Sequence, residues 1–295
     1  MKKIIVIGST NQDIVIEGGR IPSPGETVFG DTLHFLSGGK GLNQAIAAKN
    51  FNEEVLFVGK VGDDIFGYNL IKYFEEIGLN NQIEKLNSIS TGTAVINIDK
   101  KGENAITLVK GANDKFNKND LKILDNYLEN DILLIQNEIN QDINHLAIKR
   151  AKELKMTVFF NIAPSYNVPV EILSLCDFVI VNEHELEEVF SVGKIKDYKK
   201  ELLILSEKFN TNIILTLGEL GSIATYENKV LVHGGHKVEV KDTTGAGDCF
   251  CGVLISGIAK EMSLPDSLKL ANKAASMSVG RLGANNSFPK NGEVY

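Results

Sequence analysis

Six short apolar runs recur along the chain between longer stretches of helical periodicity, and this alternation constrains the fold more than any other feature. The apolar runs cover Lys3–Ile7, Val55–Val58, Ile132–Ile135, Thr157–Phe160, Phe178–Val181 and Ile213–Leu217. The helical stretches cover Asn43–Asn50, Gly67–Ile77, Asn119–Leu128, Asn144–Leu154, Glu183–Phe190 and Asp197–Phe209. Continuous apolar runs are typical of parallel strands covered on both faces. The sequence therefore predicts an α/β fold with a doubly wound, mainly parallel sheet flanked by helices.

Two pairs of β-like segments interrupt this order, and no crossover helix follows either pair. The first pair is Asp13–Ile16 and Thr27–Leu36, and the second is Thr93–Ile98 and Ala105–Val109, which flank a hairpin turn. We expect a small projecting β-sheet, formed by about residues 12–37 and 91–110, that serves as a lid, as a dimer contact or as both. The 295 residues could form one large α/β domain or two ordinary ones, and the absence of a long internal repeat or a Pro/Ser-rich linker favours a single domain.

Charge and composition exclude several classes of protein. A formal net charge of −7 argues against broad nucleic-acid binding, which needs a basic surface. The apolar run after Lys3 is too short for a signal peptide or a membrane span. Cys176, Cys249 and Cys251 form neither a disulfide framework nor a zinc pattern, and His233 and His236 lack further ligands nearby. We therefore expect a cytoplasmic protein without a membrane or nucleic-acid partner.

The segment Asp242–Asp248 reads Asp-Thr-Thr-Gly-Ala-Gly-Asp and is predicted to join a strand-like stretch, Lys237–Val240, to a helix. The small residues Gly245, Ala246 and Gly247 allow close approach to a ligand, and their N–H groups at a helix N-terminus favour an anion. Phosphate affinity alone would not select Asp248 there, whereas a base for an attacking hydroxyl would be needed at that place. The alternative is an aspartate that only complements the helix dipole.

A second glycine-rich segment, Gly38–Ala45, also opens a predicted helix. Its glycines permit close backbone approach, while Lys40 and Asn43 offer polar contacts. The spacing is not that of a P-loop. Taken alone, the segment could simply be a glycine-rich helix entry.

Together, these two segments resemble the signature regions of the ribokinase-like (PfkB) carbohydrate kinases, with the ribokinase branch most similar. Further matches along nearly the whole chain include Gly8–Asp13, Pro24–Thr27, Gly62–Asp64, Ser90–Thr93, Gly111–Asn113, Asn161–Pro164, Asn182–Glu185 and Thr216–Gly218. The resemblance implies a kinase that transfers the terminal phosphate of ATP to O5 of ribose. Asp248 would act as the general base, and Gly245, Ala246 and Gly247 would form the anion hole.

The same resemblance implies three sets of binding residues. Sugar hydroxyls would be bound by Asn11, Asp13, Gly39, Lys40, Asn43 and Glu138, together with Asp248. ATP, with Mg²⁺ held through water, would involve Asn182, Glu185, Thr216, Gly218, Gly221, Gly247 and Asn272. A monovalent cation, expected to be K⁺, would be held by Asp242, Thr244, Ser278, Arg281, Gly283 and Ser287, largely through backbone carbonyls. A homodimer formed through the lid sheet is also implied.

Other activities remain open on the residues alone. Deoxyribose, fructose, another small sugar or a nucleoside is an alternative substrate, although a nucleoside would need an apolar site for its base near the lid. A non-catalytic ligand-binding protein on the same fold is a further alternative. Asp248 argues against that alternative, because a protein that only binds its ligand has no use for a base.

Overall fold

The computed structural model describes residues 2–52 and 54–294. The strands are β1 (Ile4–Ile7), β2 (Asn11–Glu17), β3 (Thr32–Gly38), β4 (Val55–Gly62), β5 (Asn81–Leu86), β6 (Gly92–Ile98), β7 (Asn104–Val109), β8 (Ile132–Gln136), β9 (Thr157–Asn161), β10 (Phe178–Asn182), β11 (Asn212–Thr216), β12 (Ser222–Tyr226) and β13 (Lys229–His233). The α-helices are α1 (Lys40–Lys49), α2 (Ile65–Glu76), α3 (Gln141–Glu153), α4 (Val170–Leu173), α5 (Glu183–Val189), α6 (Tyr198–Phe209), α7 (Ala246–Ala259) and α8 (Leu264–Ser278). Short 3₁₀ helices cover Gly111–Lys115, Lys118–Asn126, Gly218–Leu220, Asn285–Ser287 and Asn291–Glu293.

The main sheet has nine strands in the order β13-β12-β11-β10-β9-β8-β1-β4-β5. The strands from β11 to β5 run parallel, and β12 and β13 add an antiparallel hairpin at one edge. β1 is central and wholly buried, with Ile4 and Val6 in the core on one face and Ile5 and Ile7 in the core on the other. The predicted doubly wound, mainly parallel sheet is confirmed.

A separate four-stranded sheet has the order β3-β2-β6-β7, and we call it the lid sheet. Asn11, at the start of β2, lies opposite Gly38 on β3 and opposite Gly92 on β6. β2 and β6 therefore leave the main domain, and β3 returns to it, at the same position along the lid sheet.

Glycines bring α1 close to both β1 and α7. A Cβ atom on Gly41 would lie 2.6 Å from the backbone of Gly8 and Ser9, so the start of α1 rests directly on the chain leaving β1. A Cβ atom on Gly252 of α7 would lie 2.6 Å from Cβ of Ala47 on α1. Real Cβ atoms do not approach other atoms so closely, so this packing requires glycine at both positions.

The structure corrects several sequence predictions. The helix predicted over 119–128 is a 3₁₀ helix, Lys118–Asn126, and the second lid segment begins at Thr32 rather than Thr27. The strand predicted over Lys237–Val240 is irregular chain instead, because no strand pairs with it. Strands β5, β12 and β13 were not predicted. Each lies at or near an edge of the main sheet, where polar residues mask the apolar pattern.

The described part of the chain lacks a helix able to span a membrane, a metal-binding cluster of acidic, His or Cys side chains, and a disulfide. Within residues 2–52 and 54–294, no helix combines the length and apolar character needed to cross a bilayer. The same residues contain no cluster of three or more His, Cys, Asp or Glu side chains suited to a metal ion. Cys176, Cys249 and Cys251 are free and buried.

Candidate active site

The candidate site lies where α1 and α7 begin, beyond the carboxyl ends of β1, β8 and β9. In doubly wound sheets, ligands bind at this edge, where successive connections run to opposite sides of a central strand. β1 is such a strand, since β4 lies on one side of it and β8 on the other. The first turns of α1 and α7 carry Asn43 and Asp248, respectively.

The Asp248 carboxylate is only 6% exposed and accepts hydrogen bonds on both oxygens. Asn43 Nδ2 donates to Oδ2 at 3.0 Å, and Gln44 Nε2 donates to Oδ1 at 2.9 Å. The charge of Asp248, followed by those of Glu138 and Glu185, raises the pKa of the Lys40 ammonium against the opposing effect of burial. A buried carboxylate held by neutral amides beside a cation is suited to accept a proton from a bound hydroxyl.

Asn11 and Asp13 enter the site from the first residues of the lid sheet. Asn11 Oδ1 accepts a hydrogen bond of 2.7 Å from Asn113 Nδ2. The Asp13 carboxylate lies against Gly38, where a Cβ atom would collide with it. Burial, together with the charge of Glu138, raises the pKa of Asp13 to about 7. This carboxyl group therefore changes its charge near neutral pH.

Glu138 follows β8 and fixes the entry to α1. Its Oε2 accepts from the backbone N–H of Lys40 at 2.9 Å and from the Ser9 hydroxyl at 2.6 Å. Gly39, which caps this helix, adopts a φ of 93°, a conformation that favours glycine. The residues predicted to bind sugar are thus brought together around the start of α1.

A cavity of about 590 Å³ opens between the lid sheet, α2 and the turn after α8. Asp13 and Gln12 line it from the lid, Tyr73 from α2 and Asn285 from the turn. Apolar side chains, including Val15, Leu36 and Ile96, complete its wall. Of the residues predicted to bind sugar, Asp13 lines this cavity, whereas Asn11, Gly39, Lys40, Asn43, Glu138 and Asp248 are not among the described residues that line it.

A second cavity, of about 810 Å³, lies on the other side of the α7 N-terminus. Among the residues predicted to bind ATP, those lining this cavity are Thr216, Gly218, Gly221, Gly247 and Asn272. Apolar side chains such as Val238, Val240 and Phe250 also line it, which suits the flat face of a base.

Asn182 and Glu185 lie outside that cavity, at the start of α5. They form a capping box, in which each side chain accepts from the backbone N–H of the other, at 2.9 and 2.8 Å. Burial raises the pKa of Glu185, and hydrogen bonding to Asn182 and the charge of Lys40 oppose this effect. Glu185 Oε1 has no hydrogen-bond partner among residues 2–52 and 54–294 and so fits a contact to hydrated Mg²⁺.

The predicted anion hole is partly engaged within the chain. Gly245 caps α7 with a φ of 74°, and the Ala246 N–H donates to the Thr243 carbonyl at 3.2 Å. Across the described residues, the N–H groups of Gly245, Gly247 and Asp248 have no acceptor. The free donors therefore flank Ala246, and the Ala246 N–H would have to leave Thr243 to bind a phosphate oxygen.

The predicted cation ligands form one cluster between the start of α7 and the chain after α8. The Asp242 carboxylate accepts N–H bonds of 2.9 Å from both Thr244 and Gly283, and these bonds lower its pKa although burial opposes them. Arg281 joins the others through its N–H bond to Ser278 and its guanidinium contact with the Ser287 carbonyl. Within the described chain, the carbonyls of Asp242, Thr244, Arg281 and Gly283 accept no hydrogen bond. Free carbonyls of this kind fit a monovalent cation.

Several residues around the site have no role predicted from the sequence. Gln44 contacts Asp248, and Asn161 and Gln136 contact Gln44. Asn285 contacts Asn43, and Ser9 contacts Glu138. One signal was available in the sequence, since Asn43 and Gln44 place two adjacent amides at the start of an otherwise apolar helix.

Comparison with known proteins shows similarity over the full length of the chain. A family model described as pfkB family carbohydrate kinase matches residues 1–291. Ribokinase of Lactococcus lactis is 33% identical over 304 residues, which cover 100% of this chain and 96% of that protein. Deoxyribokinase of Salmonella typhi is 31% identical, with 97% of this chain and 95% of that protein covered. The structure of Arabidopsis thaliana ribokinase complexed with ribose and ATP superposes with a TM-score of 0.90 at 30% identity, covering 99% of this chain and 97% of that one.

Proposed function

Because the chain belongs to the pfkB family of carbohydrate kinases and is an ATP-dependent sugar kinase, we propose that it phosphorylates D-ribose at O5. The observation that carries the proposal is the position of Asp248. Its buried carboxylate lies at the N-terminus of α7, next to the sugar residues, and Gly247 in the same turn lines the second cavity. The two substrates would therefore meet at one helix end.

Asp248 is the proposed general base. It accepts the proton of the O5 hydroxyl as O5 attacks the γ-phosphorus. The O5–P bond forms while the bond from phosphorus to the β,γ-bridging oxygen breaks, and ADP leaves with that electron pair. Since the donors to Asp248 are neutral amides, its negative charge remains available for the proton.

Charge that develops on the transferred phosphoryl group would be met by N–H groups at the start of α7. Gly245 and Gly247 offer free donors there, and the helix dipole adds to their effect. Lys40 supplies a fixed positive charge on the sugar side, since nearby carboxylates raise the pKa of its ammonium. These groups stabilise the transition state more than the separated substrates.

The sugar would be held by groups of fixed direction. Asn11 is oriented by Asn113, and Glu138 is anchored to the backbone of Lys40. Asp13 and Asn43 complete the set, and the lid sheet covers it. Excluding water matters because water would compete with O5 for the phosphoryl group.

Two ions complete the proposal. Mg²⁺, when bound with ATP, neutralises phosphate charge, and Asn182 and Glu185 would hold it through water. A monovalent cation, K⁺, would bind among Asp242, Thr244, Ser278, Arg281, Gly283 and Ser287, where the carbonyls of Asp242, Thr244, Arg281 and Gly283 accept no hydrogen bond within the described chain. In that position it would fix the turn beside the anion hole.

The direct test is a turnover assay with ATP across ribose, deoxyribose, fructose and nucleosides, with K⁺ and Na⁺ compared. We expect the highest kcat/KM with ribose and a higher rate in K⁺. Asp248→Asn should lose about 10²–10⁴-fold in kcat, with the affinity for ADP retained. Equal turnover by Asp248→Asn would refute the assignment of the base.

Deoxyribose is the second candidate substrate, since a deoxyribokinase is 31% identical to this chain over almost its full length. A higher kcat/KM for deoxyribose than for ribose in the same assay would select it. Absence of turnover on every sugar and nucleoside would instead favour a binding protein.

A further inference from the structure

Both oxygens of the Asp248 carboxylate are bound by side-chain amides, but only one of these amides has a predicted role. Asn43, which donates to Oδ2, belongs to the expected sugar site. Gln44, which donates to Oδ1 at 2.9 Å, is fully buried and has no predicted role. Its position calls for an explanation, because burying an amide in a core is costly unless all of its groups are paired.

The orientation of the Gln44 amide is fixed by a backbone carbonyl. Asn161 Nδ2 donates to the carbonyl of Ile180 on β10 at 3.1 Å. A carbonyl can only accept, so Asn161 must turn its Oδ1 toward Gln44, at 2.9 Å from Nε2. Gln44 Nε2 therefore carries one hydrogen toward Asn161 and the other toward Asp248.

The opposite end of the Gln44 amide is held as well. Gln136 Nε2 donates to Gln44 Oε1 at 2.8 Å. Gln136 ends β8 and Asn161 ends β9, two neighbouring central strands, and both side chains are buried. The chain of hydrogen bonds from Ile180 through Asn161 and Gln44 to Asp248 is thus anchored in the buried central strands of the main sheet.

We infer that Gln44 is a positioning residue that fixes the rotamer of Asp248, so that its free lone pairs point at the sugar hydroxyl. This inference rests on the proposed role of Asp248 as the general base. Gln44 itself takes up no proton, because its Nε2 can only donate. Its contribution is geometric, and small errors in the placement of a reacting group reduce rates strongly.

Gln44→Leu removes both donors at nearly constant volume, and Gln44→Met, which is unbranched, provides a second variant if the first folds poorly. We expect each variant to lower kcat on the order of 10- to 100-fold, with the KM for ribose changed by less than about threefold. Titration with ADP measures the concentration of folded protein, so that misfolded material does not imitate a low kcat.

Thr211→Val is the matched control. Thr211 is also buried, and its hydroxyl donates to the backbone carbonyl of Cys176 at 2.9 Å. It precedes β11, at the edge of the main sheet opposite the candidate site. The variant should lower the melting temperature as the Gln44 variants do while keeping the parent kcat per folded site. A kcat loss in Thr211→Val equal to that in Gln44→Leu would mean that Gln44 has only a structural role, and the inference would be wrong.

Combining Gln44→Leu with Asp248→Asn separates the two claims. If Gln44 acts through Asp248, adding Gln44→Leu to Asp248→Asn lowers the residual rate no further, whereas independent effects would multiply. Full activity in Asp248→Asn would overturn the proposed base. A large loss in Asp248→Asn with parent-like kcat in both Gln44 variants would overturn only the inference about Gln44.

Discussion

Asn285 Nδ2 donates a hydrogen bond to Asn43 Oδ1 at 2.9 Å, although the two residues are 242 positions apart in the chain. The same Nδ2 donates to the backbone carbonyl of Ser37 on β3, at 2.8 Å, and Tyr73 on α2 donates its hydroxyl to Asn285 Oδ1 at 3.0 Å. Because Asn285 faces Asn43 with its donor, Asn43 must face Asp248 with its own Nδ2. One asparagine therefore connects the lid sheet, α2 and the candidate catalytic centre.

Asn285→Leu should impair sugar binding more than it impairs chemistry. Without Asn285 the Asn43 amide loses the partner that fixes its orientation, so we expect the KM for ribose to rise about tenfold, with a smaller fall in kcat. Steady-state kinetics at saturating ATP and K⁺ measure both. Tyr73→Phe, which removes only the hydroxyl donor to Asn285, should raise the KM about two- to threefold. A parent-like KM in Asn285→Leu would contradict this account.

Sugar capture should depend on the ionisation of Asp13. Burial raises the pKa of this carboxyl to about 7 in the sugar-free protein, with a further contribution from Glu138. The ionised form accepts hydrogen bonds from sugar hydroxyls, so kcat/KM for ribose should rise with pH, with its midpoint near pH 7. Glu138→Gln should move the midpoint of this rise to lower pH, because it removes a negative charge that raises the pKa of Asp13. An unchanged midpoint in Glu138→Gln would contradict that electrostatic explanation.

The same group predicts how stability changes with pH. The pKa of Asp13 is about 7 in the folded chain and 3.8 as its ordinary value, so between these values the folded state binds a proton that the unfolded state has lost. The contribution of Asp13 to stability is therefore present below pH 4 and is lost as the pH rises to 7. When the pH is raised from 4 to 8, the free energy of unfolding of Asp13→Asn should increase by about 1–4 kcal/mol relative to that of the parent. Urea unfolding of the sugar-free protein at both pH values measures this difference, and a difference that does not vary with pH would refute it.

Gly252→Ala should reduce stability and activity together. The new Cβ atom would lie 2.6 Å from Cβ of Ala47 and would also press on the carbonyl of Gln44, forcing α1 away from α7. We expect a loss of about 1–3 kcal/mol in the free energy of unfolding, and a lower kcat because Asn43 and Gln44 move relative to Asp248. Gly193→Ala is the control, since no atom lies within 4 Å of its Cβ position. If both variants behave like the parent, the contact between α1 and α7 is less strict than we describe.

The lid sheet should mediate a homodimer. Pairing places Ile106 opposite Ile96 and Leu108 opposite Ala94, so both lie on the sheet face that carries Asp13. Ile106 is 58% exposed and Leu108 is 44% exposed, which is unusual for large apolar side chains next to one another on one strand.

Light scattering after size exclusion should therefore show a dimer for the parent and a monomer for Ile106→Glu combined with Leu108→Glu. Leu128→Glu is the control, because Leu128 is exposed on the main domain. A parent that is monomeric at micromolar concentration would remove the proposal.

The sequence predicts those strands whose apolar pattern matches their burial in the main sheet. β1, β8 and β10 are buried along their apolar runs, and each run shows as a block of consecutive apolar residues. β5 is different, since its residues alternate between exposed and partly buried and include Gln82 and Glu84. Conversely, 237–240 alternates in the sequence but finds no strand to pair with. Pairing partners, unlike periodicity, are a property of the tertiary structure.

The candidate site likewise has parts that can be predicted from the sequence and parts that cannot. Glycine-rich helix starts such as Gly245–Gly247 can be recognised in the sequence, because their backbone conformation depends on neighbouring residues. The partners that orient the amides around Asp248 cannot, since Asn161 is 117 residues from Gln44 and Asn285 is 242 residues from Asn43. Their significance depends on hydrogen-bond direction, which only the folded chain defines.

The row formed by Gly38, Asn11 and Gly92 also bears on how this protein can change. Where Gly38 ends its strand, and where Asn11 and Gly92 begin theirs, the lid sheet meets the main domain along a single line. Asn43, Gln44 and Asp248 all lie on the main-domain side of that line. Apart from Ser37, which is linked to Asn43 through Asn285, the lid strands are therefore separate from the groups that hold Asp248. We expect substitutions farther out in these strands to alter which acceptor is enclosed, over evolutionary time or in the laboratory, without displacing Asp248.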